Sequence, residues 1–355
     1  MKPIDHDVRM TEVYGQVYQD LYAFTPVQMR FADAIIRKNL AESGIDVDDL
    51  RRMTIFNIGT GRDAVAFHRV GARRIYHRDI SPRSVNAIKA LQTTDPAYRT
   101  ISTRQMDVCD GTDWQVDEPV DFVYLNGVFH HLHDGAAAVR QMRTILKPGG
   151  RCFFRVYRSG CLAFYVVDAL RKILRYEDHD AVTEAFFQRY PESQFQIYMG
   201  LYDDFFVPVL RLYDPNAVNA YLVLAGFRVS VPQSFVTYDH ADTRVSGQAV
   251  SLFYEWGNPG EVTPFDEPFP PHIDQLTDIT YREPHIRTTN DLMRAFISEA
   301  PNLDRRGVID TALTLHEQGQ LYRLRHEVRS EDVHGALQAT LKLALAQSGR
   351  VASAE

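Results

Sequence analysis

Short apolar runs alternate with helix-like segments between Thr54 and Tyr157. The predicted strands of this region are Thr54–Ile58, Arg73–His77, Thr100–Gln105, Val120–Asn126 and Arg151–Val156. The predicted helices between them are Arg62–Val70, Pro82–Leu91 and Gly135–Leu146. Strands that alternate with helices are joined by right-handed crossovers, which produce a parallel sheet with helices on both faces. The alternation therefore predicts an α/β fold.

Two more strands are predicted later in the chain, at Phe227–Val231 and Ala249–Tyr254, after a helix at Tyr213–Ala225. Their spacing allows them to pair with each other in antiparallel fashion at the edge of the sheet. We therefore expect a mostly parallel, seven-stranded sheet that ends in an antiparallel hairpin.

The remainder of the chain suggests additions to this core. We expect residues 1–50 to form an N-terminal helical cap and residues 51–258 to form the core. Within the core, residues 159–212 are rich in aromatic side chains and predict a helical lid, because insertions after a strand's carboxyl end lie where open α/β sheets bind ligands. Residues 259–355 predict a proline-rich linker and a small, mainly helical C-terminal unit.

The C-terminal unit carries no recognised chemical motif, and packing or dimerisation is its expected role. Helices are predicted at Thr289–Ala300 and Arg306–Glu317. Gly319 predicts the end of the second helix, and Leu321–Leu324 is predicted to be a short strand. A homodimer is compatible with this organisation.

The net charge and the hydropathy of the chain limit the classes of function that it can have. The formal net charge is −7, and no run of Lys and Arg is long enough to follow a phosphate backbone, so nucleic acid is not the expected partner. The longest apolar stretch, Cys161–Leu170, is far shorter than the ~20 residues of a membrane-spanning helix. The N-terminus does not resemble a signal peptide, and the three cysteines form no C-x-x-C pair. These features predict a cytoplasmic protein with no membrane association and no metal.

A glycine-rich loop follows the first predicted strand and suggests a nucleotide. Gly59, Gly61 and Ala64 satisfy the dinucleotide pattern G-x-G-x-x-G/A, and Asp79 lies where a ribose-binding acid is expected. The same loop also fits a nucleoside of another kind, so this motif alone leaves two interpretations open.

Residues 120–157 favour the second interpretation. The strand ends in Asn126, a V-x-H-H-L turn follows at Val128–Leu132, and the next helix closes with L-K-P-G-G at Leu146–Gly150. Together with D-I-S at Asp79–Ser81 and M-D-V at Met106–Val108, this order of motifs resembles the class I, Rossmann-like S-adenosylmethionine-dependent methyltransferases. The resemblance covers about Thr54–Tyr157, and the terminal strand pair agrees with it.

The resemblance implies a set of cofactor-binding residues. In the family, the acid that ends the second strand accepts the ribose hydroxyls, the acid after the third strand contacts the adenine amino group, and the polar residue that ends the fourth strand faces the methionine. The residues that match S-adenosylmethionine-binding positions here are Asn57, Gly59, Thr60, Gly61, Asp63, Asp79, Ile80, Asp107, Val108 and Asn126.

Two of these residues depart from the family pattern. The family's acid at the end of the first strand is replaced by Asn57, which keeps a hydrogen-bonding oxygen and loses the charge. Asp63 stands where the last glycine is usual and adds a carboxylate near a helix start, where the helix dipole stabilises it. Asp63 is therefore a candidate partner for the cofactor's amino group.

Catalytic and substrate-binding candidates come from the flanking segments. His130 and His131 are candidate bases by motif position, although a packing role is the competing interpretation. Tyr14, Tyr18 and Tyr22 recur every four residues on one stripe of a predicted helix, and their rings could contact a sulfonium or simply form a buried face. We assign Tyr22 to the catalytic set. The predicted acceptor-binding residues are Tyr14, Tyr18, Arg158 and Tyr165.

These observations predict a methyltransferase that acts on a small-molecule acceptor. The neutral Asn57 and the tyrosines also motivate an alternative, in which the same cofactor serves aminocarboxypropyl transfer or intramolecular cyclisation and releases methylthioadenosine. A third hypothesis is a degenerate, non-catalytic binding protein with this fold. Retention of Asp79, Asp107 and Asn126 argues against it.

Overall fold

The structure of the protein is a computed structural model, which describes residues 24–110, 114–191, 195–229, 249–256, 265–276, 284–324 and 330–347. These residues divide into two compact units. The described parts of the first unit lie within 24–157, 207–229, 249–256 and 265–271. Those of the second unit lie within 158–206, 272–276, 284–324 and 330–347.

The first unit contains a sheet whose strands are β1 (Thr54–Ile58), β2 (Arg74–Asp79), β3 (Ile101–Gln105), β4 (Val120–Asn126), β5 (Leu146–Tyr157), β6 (Phe227–Val229) and β7 (Ala249–Trp256). Their order is β3-β2-β1-β4-β5-β7-β6, and neighbours among β1 to β5 are parallel. The order reverses between β1 and β4, which places a crevice at the carboxyl ends of these strands. The predicted α/β fold with its parallel sheet is confirmed.

The last two strands lie beyond β5 and run against their neighbours. β7 pairs with β5 and with β6, antiparallel in both cases. The segment that joins β6 to β7, residues 230–248, lies outside the described residues. The antiparallel pairing is thus observed, while a hairpin connection stays a prediction.

Helices of both units are, in chain order, α1 (Pro26–Glu42), α2 (Gly61–Arg69), α3 (Pro82–Thr94), α4 (Gly135–Ile145), α5 (Leu162–Leu170), α6 (His179–Arg189), α7 (Phe195–Phe206), α8 (Pro215–Leu224), α9 (Pro284–Glu299), α10 (Arg305–Leu324) and α11 (Ser330–Ala346). Local sequence explains where several begin. Thr25 and Gln28 form a reciprocal capping box at the start of α1, and the Asp134 carboxylate accepts the Ala137 N–H at the start of α4.

Helices cover the two faces of the sheet in the first unit. On one face, α1 and α2 bury Ile36, Leu40 and Phe67 against strand residues such as Phe122. On the other, α4 and α8 bury side chains with those of β4 and β5. Part of the proline-rich segment belongs to this second layer, because Phe269 contacts the rings of Phe129, Tyr213 and Tyr221.

The second unit is helical in its described residues, and one sequence prediction about it is wrong. Gly319 does not end a helix, and Leu321–Leu324 is not a strand, because α10 continues through both. A Cβ at Gly319 would lie 3.2 Å from Cγ2 of Val166 in α5, so the glycine permits close packing of two helices. The helix α11, which the sequence analysis does not predict, also belongs to this unit.

Candidate functional site

The glycine loop joins β1 to α2 at the carboxyl edge of the sheet. Gly59 has φ of +107°, a conformation that other residues rarely adopt. A Cβ at this position would lie 2.6 Å from Cγ2 of Val128. Both conformation and close packing therefore require glycine here, and a bound molecule can approach the backbone.

Polar atoms beside this loop are buried without partners. Asn57 Oδ1, Thr60 Oγ1 and Ser81 Oγ have no hydrogen-bond partner among the described residues. The Asn57 amide nitrogen has only a long contact, 3.5 Å, with the Thr60 carbonyl oxygen. An unsatisfied buried polar group costs about 1–3 kcal/mol, and native proteins keep few of them. Three such oxygens around one loop fit a polar ligand that supplies hydrogen-bond donors.

Asp79 ends β2 beside the loop, as the sequence predicts. Its Oδ1 accepts the Ser81 N–H at 2.9 Å, and its side chain also hydrogen-bonds to Ser84. Burial raises the pKa of Asp79 to about 7. Ile80 follows it, half-buried, with its carbonyl oxygen accepting from the Gln105 side chain at 3.0 Å. A buried carboxylate at a strand end is suited to accept the hydroxyl groups of a ligand.

His77 and Ser84 hydrogen-bond to the backbone of the glycine loop, and neither was predicted from the sequence. His77 Nε2 lies 2.8 Å from the Gly59 carbonyl oxygen, and Nδ1 lies 2.7 Å from Thr103 Oγ1. Because the carbonyl can only accept, Nε2 carries the proton and the Thr103 hydroxyl donates to Nδ1. Burial lowers the pKa of His77 to about 4, so the imidazole is neutral at neutral pH.

Ser84 completes this support. Its Oγ accepts the Gly61 N–H at 3.0 Å and hydrogen-bonds to Asp79, so one hydroxyl joins the loop to the acid. His77 could have been found from the sequence. Side chains two residues apart on a strand lie on the same face, which places His77 and Asp79 on the same face of β2.

Asn126 and Asp63 meet where β4 ends. The Asn126 amide nitrogen donates to Asp63 Oδ2 at 3.3 Å, and the Arg62 guanidinium donates to Asp63 Oδ1 at 3.1 and 3.2 Å. Asp63 is only 3% exposed. The carboxylate therefore lies at the switch point of the sheet. Asp63 belongs to α2, the helix that follows the strand of Asn57.

Asp107 and Val108 lie in the loop after β3. Asp107 Oδ1 accepts the Cys109 N–H at 2.8 Å, and Oδ2 lies 3.8 Å from His133 Nδ1. Val108 is buried, and its carbonyl oxygen accepts the Trp114 indole N–H at 3.0 Å. Burial is also the main reason that the pKa of the Cys109 thiol is raised to about 12.

His130 and His131 are buried in a 3₁₀ turn, where each ring binds a backbone group. His130 Nδ1 accepts the Tyr157 N–H at 3.2 Å, and its ring stacks on that of Tyr157 with centroids 3.5 Å apart. His131 Nδ1 donates to the Val209 carbonyl oxygen at 2.8 Å. Burial holds the pKa of His130 well below its ordinary value. His130 Nε2, in contrast, is buried with no hydrogen-bond partner among the described residues, so the choice between a packing and a catalytic role stays a prediction.

The other candidates lie outside the described residues or in the second unit. Tyr14, Tyr18 and Tyr22 lie outside the described residues. Arg158 and Tyr165 belong to the second unit, where the Tyr165 hydroxyl donates to Asn290 Oδ1 at 3.3 Å. Their assignment to an acceptor site stays a prediction.

The strand order and the glycine loop at the switch point are those of a Rossmann-like α/β fold. Residues 56–154 match the family model described as "Methyltransferase domain". This segment of the chain is therefore similar to methyltransferase domains. No curated protein matches the chain at a significant level.

Solved structures of methyltransferases resemble part of the chain. The N-methyltransferase NodS from Bradyrhizobium japonicum, solved with S-adenosyl-L-homocysteine, is 23% identical over 38% of this chain and 64% of its own, with a TM-score of 0.28. A S-adenosylmethionine-dependent methyltransferase from Mesorhizobium loti is 20% identical over 33% of this chain and 50% of its own, with a TM-score of 0.28. The CcbJ methyltransferase from Streptomyces caelestis is 16% identical over 35% of this chain and 50% of its own, with a TM-score of 0.30.

The chain spans about half the length of several of these structures. Across the described ranges, none of the helices combines the length and hydropathy that a membrane crossing needs.

Proposed function

We propose that the protein is a S-adenosylmethionine-dependent methyltransferase that acts on a small-molecule acceptor. The observation that carries this proposal is the set of unpartnered, buried oxygens of Asn57, Thr60 and Ser81 around the glycine loop. They lie within the segment that matches the methyltransferase domain. A ligand with amino and hydroxyl groups would supply the donors that these oxygens lack.

The residues present fit this cofactor. The backbone at Gly59 and Gly61 would lie against the cofactor, and Asp79 would accept hydrogen bonds from its ribose hydroxyls. Asp107 and Val108 would hold the adenine, while Asn57, Asp63 and Asn126 would face the methionine end. When bound, S-adenosylmethionine supplies a methyl group that its sulfonium already activates for transfer.

The protein's part in the reaction is then mainly to align the acceptor and exclude water. The backbone contacts of His130 and His131 favour a role in supporting the turn after β4, next to Asn126. Tyr22 stays our candidate for contact with the reacting groups. We further propose that residues 1–50 and 159–212 shape the acceptor pocket, and the net charge of −7 favours a small molecule over nucleic acid.

The released nucleoside tests this proposal against its alternative. The protein is incubated with S-adenosylmethionine and a panel of small molecules that carry hydroxyl, amine or carboxylate groups, and the products are separated chromatographically. S-adenosylhomocysteine together with a methylated acceptor would support methyl transfer. Methylthioadenosine would contradict it and favour aminocarboxypropyl transfer or cyclisation.

A matched pair of variants ties the activity to the site. Asp79→Asn should lower the rate at least tenfold, because it removes the acceptor of the ribose hydroxyls. Asp117→Asn is the control, since that side chain is 76% exposed, lies just before the amino end of β4 and is outside the segments proposed to shape the acceptor pocket. Equal rates for the two variants would show that the activity does not use this site. Absence of any turnover and of any adenosyl binding would favour the non-catalytic hypothesis.

A further inference from the structure

We propose that Asp107, Cys109 and His133 form a binding site for a divalent transition-metal ion of borderline softness, such as Zn²⁺. Each residue offers one ligand atom, and the three atoms all lie within 4.8 Å of one another. They come from two loops at the carboxyl edge of the sheet, one after β3 and one after β4. This proposal is independent of methyl transfer.

The distances are close to those of a metal site. Tetrahedral zinc with bonds of about 2.0–2.3 Å places neighbouring ligand atoms roughly 3.3–3.8 Å apart. Asp107 Oδ2 and His133 Nδ1 are already 3.8 Å apart. The remaining pairs, which are at most 4.8 Å apart, need to approach by up to about 1.5 Å. The His133 side chain is 46% exposed, so rotation of its ring can shorten its distances to the other two ligands, while the Asp107–Cys109 pair closes by side-chain rotation within its own loop.

Neighbouring hydrogen bonds fix the two loops that present these ligands. The Cys109 N–H binds Asp107 Oδ1, which leaves Oδ2 directed towards His133. The Trp114 indole N–H binds the Val108 carbonyl oxygen between the two ligands of the first loop. On the other loop, the Arg211 guanidinium donates to the His133 carbonyl oxygen at 2.9 Å. The backbone geometry of the cluster therefore does not depend on an ion.

The ligand types select the class of ion. Thiolate and imidazole favour zinc and its neighbours among the transition metals, whereas Mg²⁺ and Ca²⁺ prefer oxygen ligands only. Cys109 would coordinate as a thiolate, with its proton passing to the solvent. Three protein ligands leave a fourth position for water, since the His133 side of the cluster faces the solvent.

One consequence does rest on the proposed function. Asp107 belongs both to this cluster and to the proposed adenine site, so a bound ion and S-adenosylmethionine would compete for its carboxylate. Competition between Zn²⁺ and S-adenosylmethionine is measured in a separate titration. Its absence would contradict the adenine role of Asp107 and not the metal site.

The test uses the full chain without any nucleoside. Cobalt replaces zinc as a spectroscopic probe, because a cobalt–thiolate bond gives an absorption band in the near ultraviolet. We expect one equivalent of Co²⁺ to produce this band and Zn²⁺ to abolish it by displacement, while Mg²⁺ has no effect. Calorimetric titration with Zn²⁺ should give one site with a dissociation constant in the micromolar range or below.

Variants locate the ion. Cys109→Ser should abolish the band, and His133→Ala should weaken Zn²⁺ binding at least tenfold. Cys161→Ser, which alters a cysteine of the second unit, should leave the band and the affinity unchanged. Circular dichroism and thermal unfolding of each variant confirm that it folds. No cobalt band in the wild-type protein, or a band that Cys109→Ser retains, would overturn the proposal.

Discussion

The side-chain amide of Asn126 donates a hydrogen bond to the carboxylate of Asp63 across 3.3 Å. One residue ends β4 and the other lies in the first turn of α2, so the contact brings a negative charge to the switch point of the sheet. The residue of β1 that borders this position, Asn57, is neutral. Asp63 is therefore our proposed partner for an amino group of the cofactor.

Replacement of Asp63 should weaken cofactor binding. Asp63→Asn removes a charge-assisted hydrogen bond, which is typically worth about 1.5–3 kcal/mol, so the dissociation constant of S-adenosylmethionine should rise at least tenfold. Calorimetric titration measures this change. Asp33→Asn is the control, because Asp33 also pairs with an arginine, Arg69, on α2. Equal affinities of the two variants would place the amino group elsewhere.

Cofactor affinity should depend on pH near neutrality. The pKa of Asp79 is about 7, and its ionised form is the better acceptor for ribose hydroxyls. The affinity for S-adenosylhomocysteine should therefore increase by nearly tenfold between pH 6 and pH 8. Asp79→Asn should bind weakly and show no such increase. A wild-type affinity that does not change across this range would contradict the assigned role of Asp79.

His77 and Asp79 should have opposite effects on stability as the pH falls. The folded-state pKa of His77 is about 4, below its ordinary 6.5, so the unfolded chain binds more protons between these values and stability is lost on acidification. The folded-state pKa of Asp79 is about 7, above its ordinary 3.8, so the folded chain binds more protons and stability is gained. The two contributions partly cancel in the wild-type protein.

Asp79→Asn should remove this compensation. Between pH 7 and pH 5 the variant should lose about 2 kcal/mol more unfolding free energy than the wild type. Urea unfolding at the two pH values measures the difference, and Asp180→Asn, which changes a side chain that is 99% exposed in the second unit, should behave as the wild type does. If Asp79→Asn and the wild type lose the same amount, Asp79 is not buried as a carboxyl with a raised pKa.

Two glycines of the second unit should respond differently to the same substitution. Gly319→Leu inserts a side chain where even a Cβ would lie 3.2 Å from Val166, so the unfolding free energy should fall by about 1–3 kcal/mol. Gly335→Leu meets nothing within 4 Å on α11 and should raise it by about 0.5–1 kcal/mol, because leucine is the better helix former. Denaturant unfolding of both variants gives the comparison. A neutral Gly319→Leu would contradict close packing of α10 on α5.

Much of the sheet could be predicted because its strands are buried apolar runs with clear limits. The predicted bounds of β1 and β4 agree with the structure. β5 starts earlier than predicted, since Leu146 pairs with Val120 before the register shifts near Gly149, whose φ is +72°. Pro148, Gly149 and Gly150 indicated a turn. The sequence gives no sign that strand pairing begins before that turn, at Leu146.

The helix α11 was predictable and missed. Val333, Leu337, Leu341 and Leu345 are four residues apart and buried, which is the pattern of one helix face. The cluster of Asp107, Cys109 and His133 was not predictable in the same way. Its members lie on two loops whose approach depends on the order of β3 and β4 in the sheet, so the His-rich turn alone showed no partner ligands.

Calorimetric titration of the full chain with S-adenosylmethionine, S-adenosylhomocysteine and NAD is the most direct test of the central claim. We predict micromolar binding of the two adenosyl ligands at one site, no binding of NAD, and a large loss of affinity in Asp79→Asn but not in Asp117→Asn. Binding of NAD in place of the adenosyl ligands, or binding of none of the three, would contradict the assignment of this loop to S-adenosylmethionine.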